Sequence, residues 1–132
     1  MDMTDRRAFF SLASMAAMAQ AAAETALSPG TQSKEIRRQP LPEPFTGWEA
    51  RFVEVNFPAG VRSVAHKHPG FVLGYVTEGE FRFGLNDETP SVLAAGQAFY
   101  EPTGANHTAG DSANPQQGAR ILAIIIAPVE KK

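Results

Sequence analysis

Beyond Pro44 the chain alternates short apolar runs with turn residues. The runs are rich in β-branched or aromatic residues, and the breaks between them contain Gly, Pro, Asn or Asp, as in strands joined by tight turns. No segment in this part keeps an apolar period of about 3.6 residues over three turns, so no helix is predicted there. The pattern predicts an all-β fold, either a sandwich or a small barrel. Strands are predicted over residues 51–57, 71–77, 80–85, 91–94, 97–101 and 119–127.

The apolar residues also predict which parts of the strands are covered. Residues 121–127 are apolar at every position, which predicts a strand covered on both faces, and the run is much shorter than the roughly 20 residues of a membrane span. Aromatic residues in alternating strands are normally part of the core. We therefore expect the barrel to be filled by Trp48, Tyr75, Phe81, Phe83, Phe99 and Tyr100.

The N-terminal segment differs in composition from the rest of the chain. Residues 1–28 contain none of the 11 Gly and 10 Pro residues. Arg6 and Arg7 precede an alanine-rich apolar stretch over residues 8–23. This arrangement is typical of an export signal peptide and resembles a twin-arginine signal. We predict a signal peptide over residues 1–23 and a periplasmic or secreted protein. A frayed amphipathic helix is the alternative.

The remaining chain is divided by composition into two parts. Residues 24–44 are polar and interrupted by prolines, which predicts a linker or an N-terminal arm. Residues 45–129 contain all the predicted strands and form the predicted barrel. A chain of 132 residues has the length of one domain.

Charge and cysteine content exclude several classes of function. The formal net charge is -2, so we expect neither a nucleic-acid partner nor binding to a membrane surface once the signal is removed. The chain has no cysteine, which excludes disulfides, thiolate metal sites and cysteine nucleophiles. Any metal must therefore be bound through nitrogen and oxygen.

The three histidines are the candidate metal ligands. His66 and His68 are two residues apart, and strand periodicity places such residues on one face, where two imidazoles can chelate one ion. A pair of solvent-facing histidines on an edge strand is the alternative. His107 follows a predicted strand and a Pro/Gly turn.

The first histidine segment resembles the first sequence motif of the cupin superfamily, written G-x5-H-x-H-x3,4-E-x6-G. Gly60, His66, His68 and Gly79 match it. Val72 stands where the motif has its metal-binding glutamate. The resemblance implies that His66 and His68 are metal ligands and that the usual carboxylate ligand is missing from its position.

The second segment resembles the second cupin motif, G-x5-P-x-G-x2-H-x3-N. Gly96, Pro102, Gly104 and His107 match it, and Asp111 stands where the motif ends in asparagine. The resemblance covers about residues 45–129 and implies a double-stranded β-helix, or jelly roll, with the metal site inside the barrel. Cupins include enzymes and binding proteins, so the resemblance does not identify a reaction.

Glu101 is a second candidate for the missing carboxylate. If its side chain faces the barrel, it could act as a ligand, as a partner of a ligand or as a general base. If it does not, it is a solvated residue at a strand end. A site with only His66, His68 and His107 would leave the metal its full charge and open positions, which favours an anionic chelating ligand.

Two functions are compatible with these residues. The first is an exported metal-binding cupin that acts as an Fe(II)-type dioxygenase on a small chelating organic substrate. The second is a non-catalytic cupin that binds a small molecule. In both we expect a divalent metal, with Fe preferred and Mn, Ni or Zn as alternatives. We also expect a homodimer, because a small barrel has edge strands to cover.

Overall fold

The computed structural model describes residues 28–130. The predicted signal peptide over residues 1–23 lies outside this range. The described residues form nine β-strands and no helix, and therefore no helix in this range is long and apolar enough to cross a membrane. The strands are β1 (Gln32–Pro40), β2 (Trp48–Phe57), β3 (His66–Lys67), β4 (Phe71–Glu78), β5 (Glu80–Leu85), β6 (Ser91–Ala94), β7 (Ala98–Glu101), β8 (Asn106–Ser112) and β9 (Ala119–Pro128).

The strands build two antiparallel sheets that face each other. One sheet has five strands in the order β1-β2-β9-β4-β7, and the other has four in the order β3-β8-β5-β6. Neighbouring strands such as β4 and β9 are far apart in sequence, so each sheet is built by pairing between distant parts of the chain. This architecture confirms the predicted all-β jelly roll.

Six of the nine strands coincide with the predicted ones to within a few residues, and three do not appear in the prediction. β1 lies in the segment expected to be a linker or arm; every residue in it is exposed, so it lacks the alternation that signals a strand. β3 has only two residues. β8 has the sequence NHTAGDS, whose small and polar residues carry little strand signal.

The core lies between the inner faces of the two sheets. Val72, Val76 and Phe81 are at most 1% exposed and form its centre. Phe99 packs on Phe81 with ring centroids 5.2 Å apart. Gly74 leaves room for Phe99, because a Cβ at position 74 would come within 2.0 Å of the ring. The prediction that Phe81 and Phe99 fill the barrel is confirmed.

Two of the expected core aromatics lie on the outer face instead. Tyr75 is 46% exposed and Tyr100 is 52% exposed. Their inward neighbours are Val76 on β4 and Phe99 on β7, so strand alternation turns both tyrosines outward. β9 shows the same alternation: its odd-numbered residues 121–127 are buried and its even-numbered ones are half-buried. The prediction of full cover on both faces of this strand is therefore wrong for the outer face.

Candidate metal centre

The three histidines meet at one place inside the barrel. His66 lies on β3 directly opposite His107 on β8, and His68 follows β3 by one residue. One side-chain nitrogen from each histidine lies within 4.8 Å of the other two. The ring centroids of His68 and His107, which are not adjacent in the sheet, are 6.4 Å apart. The structure thus brings together the three residues that the sequence singled out, and they are not a solvent-facing pair.

A hydrogen bond fixes which nitrogen His66 can offer to a metal. Its Nδ1 lies 2.9 Å from the carbonyl oxygen of Val64. A carbonyl oxygen only accepts, so Nδ1 carries the proton and Nε2 keeps its lone pair. Metal-binding histidines are commonly oriented in this way by a carbonyl or carboxylate on the other nitrogen.

His107 is held by a close backbone approach. A Cβ at position 110 would lie 2.6 Å from Cε1 and 2.7 Å from Nε2 of the His107 ring, so Gly110 is the residue that leaves space for the imidazole. His107 is 5% exposed. Its burial, together with the nearby His66 and His68, lowers its pKa to about 3, and a backbone contact with Ala109 offsets this lowering only in part. His107 is therefore neutral at pH 7, which is the form that binds metal.

Glu101 is the last residue of β7, and its side chain faces the interior of the barrel. It is 4% exposed and lies directly opposite Val72, the residue at the position of the motif glutamate. Its Oε1 lies 3.3 Å from Nδ1 of His107 and 3.6 Å from Nε2 of His68. The alternative of a solvated strand end is therefore wrong. Burial raises the pKa of Glu101 to about 7, so its contact with the neutral His107 is not an ordinary ion pair.

The donor set fits a divalent transition metal. Imidazole nitrogens and a carboxylate oxygen are suitable ligands for Fe, Mn, Ni and Zn. Nε2 of His107 and Oε1 of Glu101 are buried, and neither makes a hydrogen bond in good geometry within the described residues. Buried polar atoms in native proteins normally have a partner. A cation beside His66, His68 and His107 would supply one.

A small cavity of about 50 Å³ adjoins the histidines. Half of the residues that line it have apolar side chains. Among the described residues, none of those lining the cavity is Lys or Arg. A ligand in this cavity would therefore meet the histidines, Glu101, Ser28 and Ser63 as polar residues, and hydrocarbon side chains. The apolar lining residues are Val53, Val55, Phe57, Val72, Ile121, Ala123 and Ile125.

Asp111, at the position of the motif asparagine, is not in this cavity. It is 1% exposed and accepts hydrogen bonds from Nε and Nη2 of Arg82, at 2.8 and 2.7 Å. The backbone amide of Ser63 also donates to it, at 2.8 Å. Sequence reasoning noted Asp111 only as a departure from the motif. Its partners Arg82 and Ser63 are 29 and 48 residues away in the chain, so no local sequence pattern predicts these contacts.

A comparison with known protein families identifies a cupin domain, in agreement with the resemblance of the two histidine segments to the cupin motifs. Residues 53–125 match the cupin-domain family, a span that includes all three histidines and Glu101. The chain therefore belongs to the cupin-domain family. No curated protein matches it.

Several solved structures share the fold. A cupin-like protein from Thermotoga maritima is 19% identical, with a TM-score of 0.61, 77% of this chain covered and 73% of that chain. KdgF from Halomonas sp. is 27% identical, with a TM-score of 0.57 and coverage of 77% and 83%. The DMSP lyase DddQ from Ruegeria pomeroyi is 20% identical, with a TM-score of 0.61, and this chain spans 49% of it. At these identities the first and third show the fold alone.

Proposed function

We propose that this cupin is an exported metal-dependent enzyme, an Fe(II)-type dioxygenase of a small organic substrate. One observation carries the proposal. Three imidazoles with mutually close nitrogens stand beside a buried carboxylate, at the end of a small apolar cavity. A site of this kind has the ligands for a metal, open space beside them and a wall that limits access of water.

His66, His68 and His107 are assigned as the metal ligands. When bound, an Fe(II) ion with open positions supplies a binding place for oxygen and for a substrate oxygen. Glu101 contacts two of the three histidines and faces the cavity, and we assign it the role of proton acceptor for the substrate. Fe is the preferred metal, and Mn, Ni and Zn suit the same donors.

The cavity wall narrows the class of substrate. With no Lys or Arg among the described lining residues, a second negative charge on the substrate would have no counter-charge apart from the metal. We therefore expect the anionic chelator to place its charged oxygens against the metal and to carry an apolar remainder. That remainder would pack on side chains such as Val53, Val55 and Ile125.

The test is a metal inventory of natively exported protein, purified without a nickel column, combined with oxygen uptake. We expect near-stoichiometric Fe, and oxygen uptake with some members of a panel of small hydroxy, keto and enol compounds. His107→Ala should lose metal by orders of magnitude and keep its circular dichroism spectrum, because the core is built by other residues. Retention of full metal by His107→Ala would contradict the assignment. Bound ligand without oxygen uptake would favour the non-catalytic binding protein.

Export is tested separately. Protein recovered from the periplasm is expected to begin near Ala22 or Glu24, because the alanine-rich segment after Arg6 and Arg7 is typical of a cleaved signal. Intact mass spectrometry measures this directly. Recovery there of chains that still begin at Met1 or Asp2 would contradict the predicted cleavage.

A further inference from the structure

The loop between β2 and β3 leads directly into the segment with His66 and His68 but has no regular structure of its own. Residues 58–65 connect Phe57, the last residue of β2, to His66. A site can hold a metal tightly only if its ligands are kept in place by the groups behind them. Contacts with residues elsewhere in the chain must therefore hold this loop in place.

The contacts that fix it converge on two neighbouring residues, Arg62 and Ser63. The Ser63 amide donates to Oδ2 of Asp111 at 2.8 Å, and the Ser63 Oγ accepts from the Gly110 amide at 2.9 Å. Nη1 of Arg62 lies 3.2 Å from Oδ1 of Asp111. In addition, the Ser28 hydroxyl donates to the Arg62 carbonyl at 2.8 Å.

Asp111 is the partner in two of these contacts, with the Ser63 amide and with Arg62. It lies on β8 directly opposite Arg82 on β5, and Arg82 binds both of its carboxylate oxygens. Arg82 is held in a fixed position, because it lies inside a paired strand and its side chain is only 24% exposed. It can therefore hold the carboxylate in place. A carboxylate held by Arg82 on one side and by the Ser63 amide on the other joins the loop rigidly to the four-stranded sheet.

The anchoring of Ser63 also restrains the orientation of His66, through the carbonyl group of Val64. Val64 follows Ser63, and its carbonyl oxygen is the group that holds Nδ1 of His66. The series of contacts therefore runs from Arg82 to Asp111, to the Ser63 amide, to the Val64 carbonyl and to His66. We infer that Asp111 is a positioning residue of the metal centre, which orients His66 by anchoring the Ser63–Val64 backbone. This inference rests on the proposed metal site.

The experiment compares Asp111→Asn with a matched acid-to-amide change. Asn keeps the shape but loses the charge and one acceptor oxygen, so it cannot accept both hydrogen bonds of the Arg82 guanidinium. Glu78→Gln is the control, because Glu78 pairs with Arg120 at 3.2 Å on the surface, with its side chain 64% exposed. Metal affinity is measured by chelator competition, and the ligand geometry by the visible absorption of the Co(II)-loaded protein.

We expect Asp111→Asn to lower metal affinity about 10–100-fold and to change the Co(II) absorption bands, as other supporting groups of metal ligands do. Glu78→Gln should match the wild type in both. A folded Asp111→Asn protein with wild-type affinity and bands overturns the inference, because the role is then only structural. Absence of metal binding in the wild type and in Glu78→Gln overturns the proposed metal site and this inference together.

A second variant decides the question if Asp111→Asn does not fold. Arg82→Lys leaves the Ser63 amide–Asp111 hydrogen bond in place, but an ammonium group cannot hold both Asp111 oxygens as the Arg82 guanidinium does. It should loosen the same anchor, with a loss of metal affinity of severalfold and a shift of the Co(II) bands. Wild-type values in this folded variant would overturn the inference.

Discussion

Val72 and Glu101 lie directly opposite each other on β4 and β7, with both side chains inside the barrel. Val72 occupies the position at which the cupin motif places its glutamate. The carboxylate that is missing from β4 is thus supplied to the same region by the neighbouring strand. A one-strand displacement of this kind keeps an acid at the site and changes the direction from which it approaches the histidines.

The first prediction concerns the role of Glu101. Glu101→Gln should keep metal affinity close to that of the wild type and lower turnover about 10²–10⁴-fold, because an amide cannot accept the substrate proton. Glu80→Gln, which changes an exposed acid on β5, is the control. Chelator competition and oxygen uptake measure the two effects. A large loss of metal in Glu101→Gln would show instead that Glu101 is a ligand.

A double exchange separates the two roles further. Val72→Glu combined with Glu101→Val returns the carboxylate to the strand that carries it in the motif. We expect this protein to bind metal more tightly than the wild type and to lack turnover, because the carboxylate then competes for an open metal position. Wild-type turnover in the double variant would contradict the assignment of Glu101 as the proton acceptor.

The second prediction concerns the space at Gly110. Gly110→Ala places a methyl group within 2.7 Å of the His107 ring, so the imidazole must move. Metal affinity should fall about 10–100-fold, as expected when a ligand loses its orientation. Thr108→Ala changes a residue next to His107 without adding an atom and should bind metal normally. Unchanged affinity in Gly110→Ala would mean that His107 tolerates displacement.

The third prediction is a pH dependence of stability from Asp111. Burial by itself raises the pKa of Asp111, but hydrogen bonds from Arg82 and the Ser63 amide outweigh burial, and the folded pKa lies below the ordinary value. The stabilisation is therefore complete above the unfolded pKa of about 3.9 and is lost as the pH falls through the folded value. The charged groups that contact this carboxylate are Arg82 and Arg62.

Asp111→Asn should thus cost about 1–3 kcal/mol in the free energy of unfolding at pH 7, from the partner left unsatisfied. The difference from the wild type should shrink as the pH is lowered below about 4, because Asp111 is then protonated in the unfolded state before it is protonated in the folded state. Urea unfolding of both proteins between pH 3 and pH 7 measures it. A difference that does not depend on pH would contradict the role of the charge.

The fourth prediction is the homodimer expected from the sequence. The outer face of the five-stranded sheet carries a row of apolar side chains in register across four strands, Phe52, Ile124, Leu73 and Tyr100. Leu73 and Tyr100 are 46% and 52% exposed, and a second copy facing the same row would cover both. Light scattering at micromolar concentration should give twice the chain mass.

Substitutions on this row test the location of the interface. Leu73→Lys together with Tyr100→Lys should give monomers. Val92→Lys is the control, because Val92 is equally exposed, at 54%, but lies on β6 of the other sheet. A wild-type protein that is monomeric would contradict the dimer, and a dimer that resists the double substitution would contradict this face as its interface.

The sequence alone determined the fold class and predicted the three candidate metal ligands. Alternating apolar runs and turn residues are local signals. They identified six strands because the apolar residues of each strand indicate which of its faces is buried. The motif spacing identified His66, His68 and His107 for a related reason. His66 and His68 are two residues apart, so they lie close together in any extended strand. The turn before His107 can be predicted from the Pro and Gly residues that precede it.

Only the tertiary structure decided what surrounds these ligands. The inward direction of Glu101, its pairing with Val72 and the anchoring of Ser63 by Asp111 all depend on which strands become neighbours and in which register. The outward direction of Tyr75 and Tyr100 depends on the same register. Register is set by the packing of whole sheets, and a shift of one residue would reverse every side chain of a strand. A single sequence contains the period of each strand but not its partner.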